Sequence, residues 1–426
     1  MPGRRVAFAA ACAVGFACAA GEGSEWAGTI TDSAGIQIIE NPAMGSWDEN
    51  TRWQLTEEFR IGSAEGDINY QFGQITGVTV GGSGDIYVLD QQAAEIRVFA
   101  ASGEYLRTIG TSGGGPGEIG ALGGAALIDA PADTLGVVDM RNMRVQHFVE
   151  SGSPAGNYRI DMADGIPIKW QDSQSGLAVV QVRPMQFTPD QPVADSMDTI
   201  VARRTDGTTV DTLMKVPAGK TFSMSGGSPE FHFFSPEPMW ALAVGGGVWY
   251  GVNNTYEIGL YDDAGTLVRM VKKPFEPMVV AEEDKTIMVD MIINAIGQQG
   301  QAPPQMIEQF RSAISFEDMY PAYQQFFGGP AGSLWVQHLQ VPSELTEAER
   351  QDFNPMNSPG SRSWDVFDSE GRFLGVIQMP NKFRPLRFTD DRIYGVWRDE
   401  LDVQYVMALR VGVTGDQPVT VDVGGP

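Results

Sequence analysis

One unit recurs along this chain, and the recurrence limits what the chain can fold into. Its clearest copy spans residues 84–117. An apolar strand over 86–89 leads to a polar turn opened by Asp90, a second strand over 95–99, a glycine turn at Gly103, a third strand over 105–109 and a glycine-rich loop. Apolar residues at a spacing of two, bounded by Gly, Ser and Asp, mark strands and hairpins. Residues 133–139, 145–148 and Gly152 repeat the unit at an offset of 49. Residues 247–250, 256–261, Gly265 and 267–271 repeat it again, as do 332–336, 364–367, Gly371 and 373–377. Residues 391–397 with 403–411 close the series, and a weaker copy covers 176–182, 199–203, Gly207 and 210–213. Six units at this period mean a propeller or a solenoid.

A unit of about four short antiparallel strands cannot bury both of its faces alone. Radial stacking covers both faces and leaves only short edges, which favours a closed propeller. Closure needs a blade built from both chain ends. The strand-like residues 33–40 and 58–61 precede the first full unit, and both are expected to complete the last blade beside 403–411. The expected fold is therefore all-β, a six-bladed β-propeller over residues 26–426.

The motifs Gly-Asp-Ile-Tyr-Val-Leu-Asp (84–90), Glu-Ile-Arg-Val-Phe (95–99), Gly103-Glu-Tyr-Leu, Ile109-Gly110 and Gly115-Pro-Gly-Glu-Ile119 resemble NHL-type repeats of six-bladed propellers. The chain is also similar to exported bacterial propellers of unassigned function, many of them lipoproteins. The similarity runs over about residues 30–420 and is poorest between 166 and 235.

Residues 1–25 read as an export signal. Arg4 and Arg5 precede an apolar, alanine-rich run over 6–20 that is too short to span a bilayer. Phe16-Ala17-Cys18 resembles a lipoprotein cleavage site with Cys18 as the acylated residue, although Gly15 stands where leucine is usual. The alternative is an ordinary signal cut near Ala20. Either way the protein is expected outside the cytoplasm: periplasmic, at the outer membrane or cell surface as a lipoprotein, or secreted. Cys12 and Cys18 are the only cysteines, so the mature body has no disulfide and rests on its core.

The chain carries 29 Lys+Arg against 54 Asp+Glu, a net charge of −25. Such a surface repels phosphate backbones and anionic headgroups, which argues against nucleic acid and leaves the membrane only through a lipid anchor. A monomer is expected. Residues 184–198 and 218–238 read as long loops, and residues 281–326 break the β pattern. There, apolar residues fall at helical spacing behind an acidic first turn, and Pro304 suits the start of a second helix reaching about Ser315. A helical insertion between blades four and five follows. Residues 344–350 read as a shorter helical piece.

The resemblance implies that the turn after each blade's second strand opens on one ring face. Those turns hold Asp90, Asp139, His338, Asn253 and Trp397, with Arg141, Asn142, Arg398 and Asp399 beside them. Convergence of these residues would make a binding site for a protein, peptide or small molecule. Against this, an Asp that opens a hairpin commonly satisfies its own turn amides. A divalent cation held by Asp90, Asp139 and His338 would instead support a hydrolase or lyase, but with three histidines and no His-x-x-x-His no metal motif exists. No Gly-x-Ser-x-Gly is present, and Gly113–Gly117 lacks the Lys-Ser/Thr of a phosphate loop. The favoured expectation is a binding scaffold without turnover.

Overall fold

A computed structural model describes residues 25–413 apart from 121–124, 131–133, 173–176, 185–196, 205, 226–227, 299–302, 354–357 and 390. Six four-stranded antiparallel blades stand around a ring, each ordered from its innermost strand outward. Blade one is Ile75–Val80, Ile86–Asp90, Glu95–Phe99 and Tyr105–Ile109. Blade two is Ala125–Ala130, Thr134–Asp139, Arg144–Val149 and Pro154–Arg159. Blade three is Ile166–Asp172, Ala178–Arg183, Met197–Arg203 and Thr209–Pro217. Blade four is Pro238–Leu242, Val248–Val252, Glu257–Tyr261 and Leu267–Lys272. Blade five is Gln325–Gly328, Leu334–Gln337, Ser363–Phe367 and Phe373–Gln378. Blade six is Phe383–Phe388, Arg392–Arg398 and Gln404–Val413, finished on its outer edge by Trp53–Ile61 from the N-terminal side.

The second strands are apolar without a break because both faces of a blade are buried. In blade one, Ile86 and Val88 pack toward blade six, while Tyr87 and Leu89 pack toward blade two. The glycine that recurs between third and fourth strands has an equally local cause. It holds a positive φ and lies against the outer strand of the preceding blade: a Cβ at Gly207 would meet the Tyr158 ring at 2.5 Å, and one at Gly371 would meet Val271 at 2.6 Å. Only glycine fits both the backbone and the contact.

Closure follows the expectation for 58–61 but not for 33–40. The hairpin Thr29–Ser33 and Ile36–Glu40 lies on blade four, where Ile36–Glu40 runs parallel to Leu267–Lys272. Ile39 explains the choice, being fully buried there, with Gly371 and Val271 against it. The chain then crosses blade five to reach blade six, and Asn41 fixes the crossing. Its Nδ2 donates to the carbonyls of Lys272 (3.1 Å) and Gly371 (3.0 Å), and its Oδ1 accepts from the Phe373 N–H (2.6 Å) and the Trp26 indole (3.0 Å). Residues 26–61 thus form a belt over three blades.

The insertion between blades four and five contains α1 (Glu282–Gln298) and α2 (Pro304–Ser312), which ends close to the expected Ser315, and blade five begins at Gln325, just inside the expected 281–326 span. Residues 218–238 are not a plain loop. They hold Phe222–Ser225 and Ser228–Phe233, and the latter pairs with Ile314–Phe316 of the insertion. The short piece in blade five is α3 (Glu347–Gln351), entered through a Thr346–Glu349 capping box. Helix α1 packs on this segment, where the Ser343 N–H donates to the buried Asp284 at 2.9 Å. No helix among the described residues is long and apolar enough to cross a membrane.

Candidate functional site

The turns after the second strands share a face with the connectors between blades. In blade one, Asp90 ends its strand and takes the amides of Gly73 (2.8 Å) and Gln74 (3.0 Å) from the incoming connector, plus those of Gln92 (3.1 Å) and Ala93 (3.2 Å) from its own turn. Asp139 in blade two takes the Gly120 amide (2.9 Å), the Asn142 amide (3.1 Å) and the Asn142 side chain (2.7 Å). Asn253 in blade four accepts from the Glu237 N–H (2.6 Å) and donates to the Tyr323 carbonyl (2.9 Å). All three side chains are buried. Each is a staple between a turn and its neighbouring connector, and its polar atoms are occupied by the protein.

The remaining sequence candidates divide. Asn142 also donates to the Gly113 carbonyl (2.9 Å), and Arg141 stands exposed beside it. Asp399 caps its own turn through the amides of Leu401 (2.8 Å) and Val403 (2.9 Å), and Arg398 forms a two-pronged ion pair with Asp402 (2.6 and 2.8 Å). The Gly113–Gly117 loop is a connector whose carbonyls at Gly114 and Gly115 accept from Arg144. Asp90, Asp139 and His338 sit on three different blades, and among the described residues no three His, Cys, Asp or Glu side chains gather as a metal-binding group. The cation site drawn from those three residues is therefore not formed. Its carboxylates are taken up by main-chain amides, by the Asn142 side chain and by Arg97 and Arg144.

His338 belongs elsewhere. Its Nε2 lies 2.8 Å from Oδ1 of Asp365, a fully buried carboxylate in the middle of the third strand of blade five. Oδ2 of the same carboxylate accepts from Lys273 Nζ at 2.6 Å and from the Tyr256 hydroxyl at 2.5 Å. Lys273 lies over the Phe373 ring, 4.1 Å from its centroid, so its amino group has one apolar wall. Burial raises the Asp365 carboxyl, but the hydrogen bond from His338 and the charge of Lys273 outweigh it and hold the group below its ordinary value of 3.8. Burial, and then the facing Asp365, push the Tyr256 hydroxyl well above its ordinary value, so Tyr256 stays a donor.

Blade four and blade five thus share one charged cluster across their interface. The His338 side chain is 37 % exposed while Asp365 is 1 % exposed, so the histidine is the part that meets solvent. In the neutral imidazole, with Asp365 accepting the Nε2 proton, Nδ1 is an acceptor; in the charged form both ring nitrogens donate. His338 and Lys273 each stand at the root of an insertion on the capped side of the ring. The sequence offered a signal for Asp365 that pattern reading passed over: a carboxylate flanked by Trp364 and Val366 in a strand with two buried faces must have a dedicated partner.

These features define a six-bladed β-propeller protein with a capped face. A family model described as DUF5128, a 6-bladed beta-propeller, matches residues 68–165, which are blades one and two with the connector on either side. No curated protein matches the sequence. Among solved structures, a member of the DUF4221 family from Bacteroides vulgatus is similar at TM-score 0.51 and 11 % identity, over 86 % of this chain and 100 % of that one. Aldose sugar dehydrogenase of Streptomyces coelicolor, in its PQQ-bound form, gives TM-score 0.43 and 11 % identity over 86 % and 100 % of the two chains. Virginiamycin B lyase of Staphylococcus aureus gives 0.40 and 10 % over 84 % and 99 %. The first likeness is one of fold; the other two are too loose to bear on this chain's site.

Proposed function

We propose that this protein is an exported binding scaffold whose ligand docks on the capped face above the junction of blades four and five, with His338 as its polar contact. The observation that carries this reading is the half-exposed imidazole fixed on the buried Asp365–Lys273–Tyr256 cluster. A side chain held at one ring nitrogen and open at the other is preorganised to meet a donor. Residues 1–25 act as the export signal, with Cys18 as its lipidation site, and the ligand is a peptide or small molecule.

One observation favours a second reading. A histidine whose Nε2 proton is held by a buried carboxylate is also a general base at Nδ1, and that would make the same site a hydrolase or lyase working without the cation site considered above. A thermal-shift screen of short peptides and polar small molecules against wild type and His338→Gln tests both. Ligands that stabilise wild type and not the variant support the site, and a screen in which every hit stabilises both proteins equally removes it. Following each hit by NMR separates the readings, because a scaffold returns its ligand unchanged. Cys18→Ser should move the protein from the detergent-rich to the aqueous phase; a variant that still partitions with the membrane excludes Cys18 as the anchor.

A further inference from the structure

We infer that the central channel holds a separate binding site, for a small dicarboxylate, with Lys169 and Arg384 on opposite walls. Lys169 lies in the innermost strand of blade three and pairs with Gln181, two residues short of Arg183 at the end of its neighbouring strand. Arg384 lies in the innermost strand of blade six and pairs with Val396, two residues short of Arg398 at the end of its own neighbour. The same step along the second strand sets both cations at one depth. Three blades apart in a ring of six, they stand across the channel from each other.

Both side chains reach to the next blade and find main chain there. Lys169 Nζ donates to the Trp240 carbonyl and lies 4.8 Å from the Trp240 ring centroid. Arg384 Nη2 donates to the Ile75 carbonyl at 3.4 Å. Among the described residues no carboxylate pairs with either. The arginines one step nearer the capped face are treated differently. Arg183 is clamped by Asp198 (2.9 and 3.0 Å), and Arg398 by Asp402 (2.6 and 2.8 Å). A chain with 54 acidic residues supplies a counter-ion at that level and none at the next.

A carbonyl solvates a cation without cancelling its charge, so desolvation remains costly. Burial brings Lys169 down to about 8, and burial followed by the nearby Arg398 lowers Arg384. An anion entering the channel relieves both. Two cations on facing walls favour a molecule with an anionic group at each end, since each end can then meet one cation.

Calorimetry with succinate, glutarate and adipate at pH 6.5, with propionate as the single-charge control, tests the site. At least one dicarboxylate should bind, and propionate should be at least tenfold weaker. Lys169→Met and Arg384→Met should each weaken binding by tenfold or more, while keeping the wild-type circular dichroism. Lys169→Arg should retain binding. Raising the pH from 7 to 9.5 should weaken wild-type binding by about tenfold as Lys169 loses its proton, and should not affect Lys169→Arg. His338→Gln should bind as wild type does, which separates this site from the capped-face site. Absence of binding by every dicarboxylate at 10 mM, equal binding in both Met variants, or loss of binding in His338→Gln would overturn the assignment.

Discussion

Blades one and two differ from blades four and five in where they keep their buried charge. In the first pair the carboxylates of Asp90 and Asp139 end the second strand and are filled mainly by backbone amides, with the Asn142 side chain on Asp139 and the Arg97 and Arg144 guanidinium groups at 3.6 and 3.7 Å. In the second pair that position falls to amide side chains, Asn253 and then Gln337, whose Nε2 donates to the carbonyls of Pro359 (2.8 Å) and Ser361 (2.7 Å). The buried charge moves to the third strand, at Asp365, and is met by three side chains from two blades. A carboxylate held by main chain is part of the framework, because the backbone cannot withdraw. One held by side chains can exchange partners, and one of those partners here is open to solvent.

The contrast breaks most visibly if Lys273 is removed. Lys273→Ala leaves Asp365 buried without its lysine, and losing one partner of a buried pair costs about 3–5 kcal/mol. Urea unfolding should report a loss of that size, with Asp365→Asn in the same background recovering part of it. A pH titration addresses the same carboxylate. Its folded value lies below 3.8, so its contribution is complete above that pH and is lost as pH falls through the lower folded value. Wild type should lose stability there, and a Lys273→Ala/Asp365→Asn double variant should show less of that loss.

The framework carboxylates come next. Asp90→Ala strands the amides of Gly73, Gln74, Gln92 and Ala93, and should cost about 2–3 kcal/mol, since hydrogen bonds to a charged group are worth more than neutral ones. It should leave binding at the capped face unchanged; a matching loss of binding would mean that blade one belongs to the site after all. Asn41→Ala should cost about 1–2 kcal/mol by releasing the belt across blades four and five. Faster proteolysis within residues 26–52 is the accompanying readout, and unchanged cleavage would show the belt held by Ile39 alone.

The repeat was legible because every blade solves one packing problem in one way. Alternate residues of the second strand face opposite neighbours, and a glycine lets each outer turn settle on the blade before it. The helices were legible from their period and from Pro304. Two things were not. The strand at Ile36–Glu40 reads like any edge strand, and nothing local says that it adds to blade four rather than blade six; that choice is made by Ile39 and Asn41 meeting Gly371, which lies 330 residues beyond Asn41. The His338 cluster was half legible. His338 stood out by type and position, but its partners Asp365, Lys273 and Tyr256 come from two blades, and for Asp90 and Asp139 a turn staple and a ligand-binding carboxylate read alike in sequence, the amide contacts being visible only in the structure.

The smallest stability effect should accompany the largest effect on binding. His338 contributes one hydrogen bond to Asp365 from a side chain that is 37 % exposed, and Lys273 and Tyr256 remain when it is replaced. His338→Gln should therefore cost less than about 1 kcal/mol, within the range of a single partly solvated hydrogen bond. If His338 is the contact on the capped face, that same change removes the acceptor that Asp365 holds in place, and binding should fall by tenfold or more. A large loss of stability with little loss of binding would reverse the comparison: blade five would then carry framework charge as blades one and two do, and His338 would be one more staple.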